Sequence, residues 1–213
     1  MRTFAAARLY TFVDTAYLRG RDPAELARAL CAGGTDVLQL RAKERPRDDI
    51  RRLAETLRPI TDAAGIPLVI NDHPAVAREV GAPACHLGQE DFFAAGYTRV
   101  AQLPDAAGLR IGLSSHAPEQ ARRAVAAGAD YVAVGPVFAT PTKPGRPPVT
   151  LDYVRWAAAH LTTPWFAIGG LTLDNLEAVL AAGARRICVV SAILRARDVT
   201  AACRAFRRRL EEI

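Results

Sequence analysis

Two lysines stand among 28 basic side chains, and each follows an apolar, strand-like run. Lys43 closes Val37-Leu38-Gln39-Leu40-Arg41-Ala42-Lys43, and Lys143 closes a run from Val134 that passes Thr140 and Thr142. Where arginine has been taken almost everywhere else, a surviving lysine points to a use for a compact, movable ammonium. Arg41 adds a bidentate grip suited to phosphate. Asp72 and Asp91 are a pair of carboxylates with few companions. Such a pair suits Mg²⁺, which keeps waters and takes its remaining ligands from substrate phosphates; an Asx-turn and a helix cap are the plainer uses of the same residues. Gly169-Gly170 and Val190-Ser191 offer bare backbone N–H groups of the kind that approach an anion. Gln39 and Asn71 are neutral amides able to read a heterocycle through paired hydrogen bonds.

The remaining polar chemistry is sparse. No nucleophilic triad, HExxH pair or EF-hand spacing is present. Of the four histidines, His73 and His160 read as exposed bystanders. His86 and His116 fall near the polar cluster, as hydrogen-bonding supports rather than catalytic bases.

These residues need elements to hold them. Phrases of the form helix end, glycine, apolar run recur: Gly33-Gly34 before Val37, Gly65 before Leu68, Gly81 before Ala84, Gly108 before Arg110, Gly128 before Tyr131 and Gly183 before Arg186. Glycine suits the position just past a helix, and short β-branched runs read as buried parallel strands. Eight strands are expected, near 8–13, 37–41, 68–71, 84–87, 110–114, 131–134, 165–168 and 186–190. Helices are expected over 23–30, 47–64, 118–127, 152–160 and 174–182, with a weaker one over 92–103. Eight strands alternating with helices predict a single (β/α)₈ barrel over residues 1–213. An open doubly wound sheet ranks lower, because no GxGxxG follows the first strand. In a barrel, the polar residues above fall at the C-terminal ends of strands, with Ser114 at the end of the fifth. A purely structural protein would have no reason to gather them there.

Composition limits the partners. The net charge of +6 is concentrated from Arg185 onward, where eight arginines face three acids. This predicts a solvated basic helix face without interleaved aromatics, and no nucleic-acid partner. No apolar run is long enough to span a membrane, and the N-terminus lacks the apolar stretch of a signal peptide. Four cysteines without CxxC pairing predict reduced, buried thiols and a cytoplasmic protein. Self-association is left open.

The motifs QLRAK (39–43), INDHPAVAREVGAPACHLGQED (70–91), GLSSH (112–116), ADYVAVGPVFATPTK (129–143), AIGG (167–170) and VVSAI (189–193) occur in an order and spacing that resembles the thiamine phosphate synthase family along nearly the whole chain. The resemblance implies a transferase that condenses 4-amino-2-methyl-5-(diphosphooxymethyl)pyrimidine with a thiazole phosphate, releasing diphosphate. It puts the pyrimidine diphosphate against Gln39, Arg41, Lys43, Asn71, Ser114 and Lys143. It gives Mg²⁺ to Asp72 and Asp91, and the thiazole phosphate to Thr140, Thr142, Gly170, Val190 and Ser191. Arg41, Lys43, Ser114 and Lys143 become the catalytic set. The chain departs from the family at Gly81–Cys85 and at Thr150, where a glycine is usual.

Three rivals remain at this level. A thiazole tautomerase on the same barrel would use His116 for proton transfer, but would not need the diphosphate and metal residues. A non-catalytic homologue would have lost some of them. A phosphate-binding barrel isomerase would require an acid–base pair across the barrel.

Overall fold

The computed structural model describes residues 3–140 and 148–212. Among these, eight strands close a barrel: β1 Leu9–Asp14, β2 Val37–Arg41, β3 Leu68–Asn71, β4 Ala84–Leu87, β5 Arg110–Ser115, β6 Tyr131–Val134, β7 Trp165–Ile168 and β8 Ile187–Cys188. Every neighbouring pair is parallel, and β8 returns to β1 through Leu9 opposite Ile187. Around it lie α1 Pro23–Ala32, α2 Arg47–Ala63, α3 Pro74–Glu79, α4 Gln89–Ala94, α5 Pro118–Ala126, α6 Thr150–His160, α7 Leu173–Ala181, α8 Ser191–Leu194 and α9 Val199–Glu211. No helix of the described residues is long and apolar enough to cross a membrane.

Local sequence explains the alternation. β1 and β6 are buried at every residue, as strands covered by helices on one face and barrel interior on the other must be. α2 buries Ile50, Ala54, Leu57 and Thr61, one stripe at helical spacing. Asp22 caps α1 by accepting from the Glu25 N–H, with Pro23 at the first helical position, and Asp198 caps α9 in the same way through Ala201.

Three expectations change. The expected helix over 92–103 is instead α4, a turn through Gly96, and a short 3₁₀ segment Val100–Gln102. β8 is two residues long, although the Val189 N–H still donates to the Tyr10 carbonyl at 3.0 Å before Val190 turns away. The basic C-terminal helix is not wholly a solvated face. Arg207 Nη1 grips both oxygens of Asp36, at 2.7 and 2.6 Å, and the Asp36 side chain is fully buried.

The interior is aromatic. Tyr10, Tyr131 and Phe166 come from β1, β6 and β7 and meet edge to face, with ring centroids 5.4–6.0 Å apart. Phe4 stacks on Tyr131 at 4.4 Å. These contacts cross the barrel, so the interior is a packed core and the site must lie above it.

Candidate active site

At the C-terminal ends of the strands two cavities share a wall. One is lined by Arg41, Lys43, Asn71, Asp72 and Asp91, and the other by Thr140, Gly170, Val190 and Ser191. His86, Ser114 and His116 line both. The first is cationic and acidic at once; the second is mostly apolar, with backbone polar groups.

In the first cavity each side chain is held by a neighbour. Arg41 ends β2, and its Nη1 donates to Asp14 Oδ2 at 2.8 Å from the end of β1. Asp72 follows β3 with a left-handed backbone, φ 64°, its N–H donating to the His86 carbonyl at 2.8 Å. Such a conformation is uncommon outside glycine, is most tolerable for Asp or Asn, and clusters at functional sites. Asp72 Oδ2 accepts from Asn71 Nδ2 at 2.6 Å and lies 3.7 Å from Lys43 Nζ. Asp91 sits in the first turn of α4, with Oδ2 folded back over Gly88. Ser114 Oγ accepts from the Gln89 N–H at 3.1 Å. Gln39 differs from expectation in depth: it is 2% exposed and sits beneath the cavity, its Nε2 donating to Tyr10 Oη at 2.6 Å.

No group of three or more His, Cys, Asp or Glu side chains that could hold a metal occurs among the described residues. Asp72 and Asp91 alone cannot enclose an ion. Facing one cavity, they fit a cation that takes its other ligands from water and a bound phosphate.

The second cavity explains the glycine pair. A Cβ on Gly170 would lie 2.6 Å from the Ala139 carbonyl oxygen, and its φ of 65° disfavours any side chain. Among the described residues, no acceptor meets the backbone N–H of Gly170, Val190 or Ser191. Thr140 lines this cavity, whereas Thr142 and Lys143 lie outside the described residues. His116 Nδ1 meets the Gly135 carbonyl, and its backbone N–H donates to Gln120 Oε1 at 2.7 Å, so the ring is held as a support. Cys188 also lines the cavity; burial pushes its thiol well up, which leaves it protonated and without nucleophilic character.

The sequence reading missed Asp14, Tyr10 and Tyr131. Asp14 had a signal, being the polar residue that ends the first apolar run. The tyrosines had none, because a buried tyrosine in a strand reads as core.

A closed parallel barrel with its polar side chains at the C-terminal strand ends defines an enzyme of the (β/α)₈ class. A family profile described as "Thiamine monophosphate synthase" matches residues 9–193. The chain is 50% identical over 180 residues to a thiamine-phosphate synthase of Thermus thermophilus, covering 84% of each chain. It is 47% identical over 207 residues to that of Thermobifida fusca, covering 96% of this chain and 93% of the relative. The solved structure of a thiamine phosphate pyrophosphorylase from Pyrococcus furiosus superposes with a TM-score of 0.82 at 29% identity, covering 97% of this chain and 96% of that one. The chain belongs to the thiamine monophosphate synthase family: its reaction is the synthesis of thiamine phosphate, and it is a transferase of thiamine biosynthesis.

Proposed function

We propose that the cationic cavity takes the diphosphate of an aminopyrimidine, that the glycine-lined cavity takes a thiazole phosphate, and that the two meet at Ser114. The observation that carries this reading is the shared wall. Ser114, His86 and His116 border both cavities, so two ligands filling them would touch there.

The chemistry follows from the residues. The pyrimidine methylene carbon loses its C–O bond, and the electron pair leaves with diphosphate. Arg41 and Lys43, with Lys143 as the third cation, stabilise the charge that builds on the departing group. Bound between Asp72, Asp91 and the diphosphate, Mg²⁺ would supply further charge neutralisation. The 4-amino group donates electron density into the ring and supports a positive methylene centre, which favours departure before attack. The thiazole nitrogen then forms the C–N bond from its lone pair. No proton need move, in keeping with the supporting positions of both histidines. Thr140, Gly170, Val190 and Ser191, with Thr142, anchor the thiazole phosphate. Four free cysteines, three of them buried, fit a reducing compartment such as the cytoplasm.

Calorimetric titration tests the partition. The pyrimidine diphosphate should bind far more tightly with Mg²⁺ present, and Asp72→Ala should remove that dependence. The thiazole phosphate should bind equally well in EDTA. Equal affinity of the diphosphate with and without Mg²⁺ would remove the metal from this reading.

A further inference from the structure

The steps above make no use of a line of hydrogen bonds that crosses the barrel from β2 to β4. Gln39 Nε2 donates to Tyr10 Oη at 2.6 Å, Tyr10 Oη lies 3.1 Å from Tyr131 Oη, and Tyr131 Oη lies 3.2 Å from His86 Nδ1. Tyr10 and Tyr131 are 1% and 0% exposed. Burial raises both phenols well above their ordinary range, so each keeps its proton.

The inward-facing amide N–H of Gln39 sets the direction. Tyr10 accepts from the Gln39 amide, so its one proton goes to Tyr131. Tyr131 then sends its proton to His86 Nδ1, which must therefore be the unprotonated nitrogen of a ring carrying its hydrogen on Nε2. Each hydroxyl in the line then accepts one hydrogen bond and donates one. At the other end Gln39 Oε1 makes no hydrogen bond to a described residue. No buried side-chain polar atom among the described residues lacks a partner, so this oxygen is not sealed from solvent, and Gln39 shares one face of β2 with Arg41, which lines the cationic cavity just above it. Asn71, on the adjacent strand, also has its amide nitrogen engaged, Nδ2 donating to Asp72 Oδ2 at 2.6 Å.

The line is also braced. Tyr131 is sandwiched by Phe4 at 4.4 Å and His86 at 5.6 Å. Its ring lies against the bare backbone of Gly112, where a Cβ would come within 2.1 Å of it. Neither the ring nor its hydroxyl can swing away without repacking the barrel floor.

We propose that Tyr10 and Tyr131 are positioning residues that decide which atom Gln39 shows the ligand. By holding the amide N–H inward they turn the carbonyl outward, and the site thereby selects a heterocycle bearing an amino donor over one bearing an oxo acceptor. This rests on the reading that a pyrimidine occupies the adjoining cavity.

The test compares kcat/KM for the 4-aminopyrimidine diphosphate and its 4-oxo analogue in the wild type, Tyr10→Phe and Tyr131→Phe. With the relay cut, the amide is free to turn, and the preference for amino over oxo should fall by at least about tenfold, mainly through KM, the scale of one buried hydrogen bond. If both variants lose activity on the two analogues in equal proportion, the tyrosines are merely structural and the proposal fails. Nitrogen-15 NMR of histidine-labelled wild type gives an independent readout that requires no substrate. His86 should appear as the Nε2–H tautomer, and a dominant Nδ1–H tautomer would overturn the relay. Wild type that turned over neither analogue would instead count against the functional reading, and the nitrogen shifts would still judge the relay.

Discussion

Arg41 Nη1 lies 2.8 Å from Asp14 Oδ2, and this pair ties the end of β2 to the end of β1 beside the cationic cavity. Asp14 is 1% exposed, and its Oδ1 is occupied by the Ala16 N–H at 3.0 Å, so the carboxylate cannot swing. A fixed carboxylate fixes the guanidinium it holds. Asp14→Asn should leave Arg41 charged but misdirected, lowering kcat/KM by roughly 10–100-fold, the scale of small misplacements in a site. Steady-state kinetics check this; an unaltered kcat/KM would show that Arg41 needs no such guide.

The second prediction concerns Arg207, whose grip on the buried Asp36 joins α9 to the start of the barrel. The same carboxylate accepts the backbone N–H groups of Arg8 and Leu9, at 2.7 and 3.0 Å. Arg207→Gln removes one partner of a buried pair and should cost about 3 kcal/mol of stability. Arg208→Gln, on the exposed face of the same helix, should cost less than about 0.5 kcal/mol. Urea unfolding of both variants distinguishes a latch from a solvated face.

Thr150 opens α6 with φ 62°, a left-handed conformation for a β-branched residue. Thr150→Gly should stabilise the protein by about 1 kcal/mol, because the left-handed penalty of the side chain exceeds the added freedom of the unfolded glycine. A drop in melting temperature would show that the Thr150 Oγ1 contact with the Asp152 N–H, at 3.4 Å, outweighs the strain.

Much of this was legible in the residue pattern, for physical reasons. Parallel strands covered on both faces must be apolar, and glycines mark the helix ends between them, so eight strands could be located to within a residue or two except at β8. There Val189 keeps one hydrogen bond to β1, while Val190 continues the apolar run but turns away to line the second cavity. Arg41, Lys43, Asn71 and Asp72 were legible because a polar residue at the end of an apolar run has few other uses. Pairings distant in sequence were not. Nothing local announces that Arg207 reaches Asp36, that Asp14 holds Arg41, or that Gln39 lies below the cavity on a tyrosine, since those partners are chosen by closure of the barrel.

Alkaline pH should destabilise the fold. Burial raises Tyr10 and Tyr131 well above their usual range, Tyr153 to about 12, Cys31 to about 11 and Cys203 to about 12. Unfolded, such groups titrate near ~10 for tyrosine and ~8.5 for cysteine. Folded values lie above unfolded ones, so the stability these groups contribute is fully present below the unfolded values. It is lost as pH rises from there toward the folded values, because the unfolded chain releases protons that the native state still holds. The melting temperature should therefore fall between about pH 8.5 and 11; a constant value across that window would contradict the burial of these groups.

The most direct measurement is turnover itself. Purified protein is mixed with the aminopyrimidine diphosphate, the thiazole phosphate and Mg²⁺, and both thiamine phosphate, as its fluorescent oxidation product, and diphosphate are quantified. The two products should appear in equal amounts, and EDTA or Asp72→Ala should suppress both together. Thiamine phosphate formed at an undiminished rate in EDTA would contradict the role given to Asp72 and Asp91, and diphosphate released without thiamine phosphate would contradict the meeting of the two substrates at Ser114.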